Sequence, residues 1–276
     1  MNLKGLLKEK LSEKEMGDFR GSFEIIGNIA ILEIPQTLYK KRKLIAEALL
    51  RLHKSIETVC MKADERKGKL RLRKIIAIIG RKTETIHTEY GCKFFLDLKK
   101  TYFSPRELTE RQRIASLVKK GEEVLVMFAG IGPFAIQIAK RQPLVKRIVA
   151  VELNKNAFDY MKKNIELNKV QDKIEAIHGD VRKICPKYKN KFNRIVMPLP
   201  LHGHDYLDMA INCLKKKGII HFYSTGHESD PYSETIRLFE KACKKKKAKL
   251  KILSKTMALP YAPRVWKVCV DAQLRK

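Results

Sequence analysis

No stretch of the chain approaches the roughly 18 uninterrupted apolar residues that cross a bilayer, so no membrane partner is expected. The opening segment MNLKGLLKEKLSEKEMGDF is too charged to hold the apolar centre of a signal peptide. No CxxC pair occurs. Cys60, Cys92, Cys185, Cys213, Cys243 and Cys269 are scattered, which fits reduced thiols in a cytoplasmic protein better than a disulfide frame or a zinc site. Acids are scarce: 30 Asp and Glu stand against 59 Lys and Arg, a formal charge of +29. That field calls for a polyanion, and nucleic acid is the obvious one. Heat-adapted proteins also carry dense lysine, but usually with matching glutamate, and here the acids number half the bases.

What is present fits a folded protein of two parts. The chain has 276 residues, 44% of them hydrophobic, enough for one large domain or two. Residues 1–16 read as a short amphipathic helix or an arm. Ser22 to Pro35 reads as two strands turning at Gly27-Asn28, and Thr83 to Leu98 as a second hairpin turning near Tyr90-Gly91. Between them, 36–53 has helical apolar spacing and Arg71 to Ile79 reads as a strand. Strands grouped in this way imply an α+β unit, placed at 1–99. From about residue 100 strands and helices alternate, which implies a doubly wound parallel sheet over 100–276. In that part HDYLDMAINCLKKKG reads as a helix stopped by Gly218, and Lys244 to Lys247 as the cationic close of another helix. There is no internal repeat.

Three elements of the second part converge on one ligand. Gly130-Ile131-Gly132 follows a strand and precedes a helix, where glycine permits a tight turn and close approach of a ligand. Glu152 ends the next strand, about 20 residues on, where an acid can bind both ribose hydroxyls of an adenosine. Asp180, a further 28 residues on, is placed for the adenine amino group. The third glycine of the dinucleotide fingerprint is missing; Phe134 and Ala135 stand there instead. Without a pyrophosphate that close approach is unnecessary, so S-adenosylmethionine (SAM) fits better than NAD. Downstream, Ile195 to Met197 runs into Pro198-Leu199-Pro200, a rigid, carbonyl-rich corner at a strand end. His202 and His204 follow it with no acid or thiol partner evident, so no metal site is expected.

The stretches FEIIGNIAILEIP, TIHTEYGCKF, TYFSPRELTERQRI, MFAGIGPFAI, VELNKNAF, GDVR, RIVMPLP and YAPR resemble the archaeal and eukaryotic tRNA (guanine-37-N1)-methyltransferases and their wybutosine-pathway relatives. The resemblance runs from about residue 22 to the end. It implies an α/β, Rossmann-type class I SAM-dependent methyltransferase domain preceded by a smaller α+β domain. It also implies a cytoplasmic monomer that works on the tRNA anticodon loop at position 37. The tRNA-elbow domain often found in the family is expected to be missing. In the family a glutamate at the place of Glu110 is proposed as general base for the guanine N1 proton. From sequence alone the same residue is also an ordinary first-turn acid of a helix. Arg71 or Arg73 sits on the strand whose arginine holds the guanine O6. Phe103, Arg106, Phe128, Val181 and Met197 join Gly130, Gly132, Glu152 and Asp180 as cofactor contacts. Arg106 and Arg113 also read as RNA-backbone or structural residues, and Tyr261 to Arg264 as packing.

The chain departs from the family at Pro198, where an asparagine usually grips the guanine edge with a donor and an acceptor. Proline offers only carbonyls. A proline-bearing archaeal branch is associated with methylating 4-demethylwyosine at C7, in place of or besides guanosine N1. The alternatives on the same fold are transfer of the aminocarboxypropyl group of SAM, and RNA binding without catalysis.

Overall fold

The computed structural model describes residues 2–63, 72 and 74–276. Two compact units result, Met1–Pro105 and Arg106–Lys276.

The first unit begins with α1 (Leu3–Leu7) and α2 (Glu13–Asp18). Ser12 and Glu15 close a reciprocal capping box at the start of α2, which satisfies two otherwise orphaned donors. β1 (Phe23–Ile26) and β2 (Ile29–Leu32) form the hairpin expected at Gly27-Asn28. After Pro35 the chain winds as a 3-10 turn over Gln36–Lys41 before α3 (Arg42–Leu52), where a single helix was expected. β3 (Thr58–Lys62) and β4 (Ile75–Ile79) complete a sheet in the order β1-β2-β3-β4, with β2 and β3 parallel. α1 and α3 bury Leu3, Leu7, Ile45 and Leu49 together with Leu32 and Val59 of that sheet. β5 (Glu84–Glu89) and β6 (Cys92–Asp97) pair as a hairpin in register Glu89 to Cys92. Tyr90 and Gly91 both have positive φ, 45° and 74°, the conformation a two-residue hairpin turn needs.

The second unit runs α4 (Leu108–Leu117), β7 (Glu123–Met127), α5 (Pro133–Arg141), β8 (Arg147–Glu152), α6 (Lys155–Leu167), β9 (Ile174–His178), α7 (Val181–Ile184) and β10 (Phe192–Met197). It continues with α8 (Leu207–Cys213), β11 (Leu214–His227), α9 (Ser233–Lys245), β12 (Lys249–Ala262) and β13 (Val265–Arg275). The sheet order is β12-β13-β11-β10-β7-β8-β9. The chain moves outward from β7 through β8 to β9, then crosses to β10 on the other side. The crevice at that reversal is where such sheets bind ligands. β7, β8 and β10 are apolar runs because helices cover both faces, and Val124–Met127, Ile148–Val151 and Ile195–Met197 are all fully buried.

Three expectations change. The sheet is mixed, not wholly parallel: β13 inserts between β11 and β12 and runs antiparallel to both. Gly218 does not stop a helix: α8 ends at Cys213, and Gly218 lies inside β11 opposite Leu274. A Cβ there would sit 2.6 Å from Leu214 Cδ2 and 2.9 Å from the Asn193 carbonyl oxygen, so glycine serves close strand approach. Tyr261 to Arg264 do not pack: they form the exposed tip between β12 and β13, where Arg264 pairs with Glu228 at 2.7 Å.

Candidate active site

The parallel strands bring their C-terminal ends to one edge of the sheet. At the end of β7 the backbone turns through Phe128, whose φ is +57°, a left-handed conformation uncommon for a bulky residue. Its ring meets Tyr206 edge-on at 5.0 Å. Gly130 and Gly132 follow with φ of +58° and +89°. A Cβ on Gly132 would lie 2.9 Å from Met161 Cγ, so both its torsion and the packing of α6 require glycine. Gly132 caps α5, and Pro133 takes the first helical position, where its missing N–H is no loss. From α6, Asn164 Nδ2 donates to the Ile131 carbonyl at 3.1 Å and holds the turn. Within the turn the Gly132 N–H is given to the Ala129 carbonyl at 3.0 Å, which closes it tightly at the helix start.

Glu152 closes β8 beside this turn. Its Oε2 accepts from Gly130 N at 2.7 Å and its Oε1 from Asn154 N at 2.7 Å. Burial raises its carboxyl above the ordinary range, against the lowering effect of those backbone donors. A buried carboxylate with spare lone pairs calls for further donors, and a ribose diol supplies two. The residues present thus fit an adenosine-bearing cofactor.

At the end of β9, Asp180 caps α7, accepting from Arg182 N at 2.8 Å. The Arg182 side chain also reaches it, with Nη2 to Oδ2 at 2.6 Å, and holds its carboxyl below the ordinary range. Arg182 lies 5.9 Å over the Tyr206 ring, so Asp180, Arg182, Tyr206 and Phe128 form one chain of contacts. Met197 and Val181 are buried in the core beneath this edge. The pairing of Val196 with Val126 places Met197 and Pro198 level with the end of β7. Leu153 and Leu201 are exposed apolar residues at the ends of β8 and the Pro198 corner.

Phe103 belongs to the first unit, where its ring is 5.3 Å from His87 and 6.0 Å from Phe94. Arg106 Nη2 donates to the Pro260 carbonyl at 3.2 Å. Arg71 and Arg73 lie outside the described residues.

Glu110, on the first turn of α4, is buried. Its Oε1 accepts from Arg113 Nε at 2.9 Å, and its Oε2 from Arg113 Nη2 at 3.0 Å and from the Tyr223 hydroxyl at 2.7 Å. Arg113 continues to Asp271 at 2.5 Å, and Asp271 to His221 Nδ1 at 2.6 Å. His221 Nε2 takes Arg194 Nη1 at 2.7 Å, and Arg194 pairs with Glu122 at 2.7 Å. Burial lowers the His221 pKa, so the ring is neutral: it donates from Nδ1 and accepts at Nε2. Phe134, at the start of α5, packs on Tyr223 at 5.9 Å and ties this network to the glycine turn. His221, Tyr223, Arg194 and Asp271 escaped the sequence reading. The signal was there: polar residues at period two, His221 in IIHFYS and Asp271 in VCVDAQ, interrupt otherwise apolar strands.

Residues 85–252 match the TRM5/TYW2 methyltransferase domain, and residues 3–83 match the TYW2 N-terminal domain. The tRNA (guanine(37)-N(1))-methyltransferase Trm5b of Pyrococcus abyssi is 42% identical over 251 residues, 91% of this chain and 74% of the relative. Its crystal structure superposes with a TM-score of 0.88 at 39% identity, covering 96% of this chain and 79% of that one. The tRNA 4-demethylwyosine(37)-methyltransferase Taw21 of Saccharolobus solfataricus is 33% identical, over 83% of this chain and 87% of its own. The Pyrococcus horikoshii TYW2 structure in complex with MeSAdo has a TM-score of 0.85 at 29% identity, over 99% and 98% of the two chains. Glycine turn, buried acid and strand order thus coincide with matches over nearly the whole length, and the chain belongs to the TRM5/TYW2 methyltransferase family.

Proposed function

We propose that the chain transfers a methyl group from SAM to the base at position 37 of tRNA, at C7 of 4-demethylwyosine, at N1 of guanosine, or at both. The observation that carries this reading is the shared edge of β7, β8 and β10. There Gly130, Gly132 and Glu152 stand beside Pro198, where the family resemblance leads one to expect an asparagine. Trm5b and Taw21, similar over most of this chain, bear names that cover both substrates.

When bound, SAM supplies an electrophilic methyl on a sulfonium. Glu152 accepts the ribose hydroxyls, and the glycine turn, which has no side chains at Gly130 and Gly132, lines the approach. Asp180 receives the adenine amino group once the exposed Arg182 side chain gives way. On either base one proton must leave, from N1 of guanosine or from C7 of the tricycle as the methyl arrives. Glu110 is the acceptor: Oε1 takes one bond from Arg113 Nε and keeps a second lone pair. The Pro198 corner offers carbonyls and apolar walls, which suit a larger ring that lacks the plain guanine edge.

Labelled SAM with tRNA carrying guanosine or 4-demethylwyosine at position 37 tests the reading; no label on either would end it. A second reading is favoured by the match of residues 3–83 to the TYW2 N-terminal domain: transfer of the aminocarboxypropyl group. Product mass separates the two, one methyl against a much larger gain.

A further inference from the structure

The positive charge beside Glu110 is shared. Arg113 gives Nε and Nη2 to Glu110, while Nη1 goes to Asp271 Oδ2 at 2.5 Å and Nη2 also reaches Asp271 Oδ1 at 3.4 Å. One guanidinium thus serves two carboxylates. Given wholly to Glu110, it would hold the electron pairs that a proton must enter. Shared with a second acid, it opposes protonation less.

Asp271 is built to stay ionised in that place. Burial alone would raise its carboxyl, but His221, Arg113 and Ser254, whose Oγ donates at 2.6 Å, hold it well below the ordinary range. Cys269 adds a weak S–H contact at 3.3 Å and is kept neutral by burial. On the other side of Glu110, burial raises Tyr223 well above its ordinary value, so it remains a donor. Lys267, 4.8 Å over the Tyr223 ring, is turned to Glu107 at 2.9 Å and is spent there. Glu110 is thus bonded by Arg113 on its own helix and Tyr223 on β11; behind Arg113 stands Asp271 of β13 with His221 of β11, Cys269 of β13 and Ser254 of β12, and behind Tyr223 stands Lys267 of β13.

We propose that Asp271 and Tyr223 are positioning residues that set the basicity of Glu110 in opposite senses. Asp271, acting through Arg113, keeps the carboxylate basic. Tyr223 fixes its orientation and tempers it. This rests on Glu110 being the base.

The test is the pH profile of single-turnover methyl transfer, on whichever tRNA takes the label. Asp271→Asn keeps the shape and removes the charge. The acid limb then moves to lower pH and the plateau rate falls, by less than the roughly 10²- to 10⁴-fold that general-base catalysis contributes. Tyr223→Phe removes one oxygen and moves the limb to higher pH. SAM affinity stays at the parent value in both. Limbs that stay in place, or shift in the same direction, overturn the proposal, because a network that merely staples β11 to β13 would lower rates without moving them. Glu110→Gln is the separating control. If it keeps the parent rate, the base assignment itself fails. If it abolishes transfer while the other limbs stand still, only the present proposal fails. Should Asp271→Asn not fold, Tyr223→Phe decides alone.

Discussion

Replacing Glu152 by glutamine changes one atom of a buried carboxylate and should separate cofactor grip from fold. In the parent, each oxygen accepts a backbone N–H, from Gly130 and from Asn154, at 2.7 Å. Glutamine keeps one acceptor and turns an NH2 toward the other donor, so one backbone N–H is orphaned at a cost of about 1–3 kcal/mol. The bond from a ribose hydroxyl to a charged oxygen is lost as well, worth about 1.5–3 kcal/mol. At about 1.4 kcal/mol per factor of ten, SAM affinity should fall roughly 10- to 150-fold. Titration calorimetry reads this directly, with thermal melting as the measure of the first effect. Because burial raises the Glu152 carboxyl, its contribution to stability in the cofactor-free protein is full below the ordinary carboxylate range. It is lost as pH rises through the raised value. SAM, donating to the ionised form, should bind more tightly through the same window, and the glutamine variant should lose that dependence. An unchanged affinity with an unchanged pH profile would refute the assignment of Glu152 to the ribose.

Three further outcomes follow from the same geometry. Pro198→Asn restores a paired donor and acceptor at the end of β10; it should raise turnover on guanosine relative to 4-demethylwyosine about 5- to 150-fold, one hydrogen-bonded edge at about 1–3 kcal/mol. Competition between the two tRNAs measures it, and an unmoved ratio would make the corner a strand terminator only. Gly218→Ala drives a Cβ against the Asn193 carbonyl oxygen at 2.9 Å; it should lower stability by about 1–3 kcal/mol, read as a lower Tm with SAM affinity intact. With a net charge of +29, tRNA binding should weaken steeply with salt as phosphates release counterions, and a flat plot of log Kd against log salt would show that the charge is not the grip.

Local features were legible where one residue type settles the backbone. Gly27-Asn28 and Tyr90-Gly91 announced their hairpins because such turns need positive φ. The glycine turn, Glu152 and Asp180 could be placed at the ends of successive strands because the βαβ unit fixes such spacings. What sequence could not show is contact across long separations. Arg113 meets Asp271, 158 residues away, because β13 inserts beside β11, and Tyr223 meets Glu110, 113 residues away, from β11 itself. Gly218 misled for a related reason: glycine after a lysine-rich helix end resembles a stop, yet this one serves the neighbouring strand.

The insertion of β13 also sets an order of assembly. β12 precedes β13 in the chain but reaches the sheet only through it, so the two must dock onto β11 together or in reverse order. The glycine turn and Glu152 need only β7, β8 and the helices packed on them. A partly folded molecule lacking the last hairpin would leave Arg113 to Glu110 alone. The contacts that hold the glycine turn and those that join Arg113 to Asp271 therefore need not form at the same time.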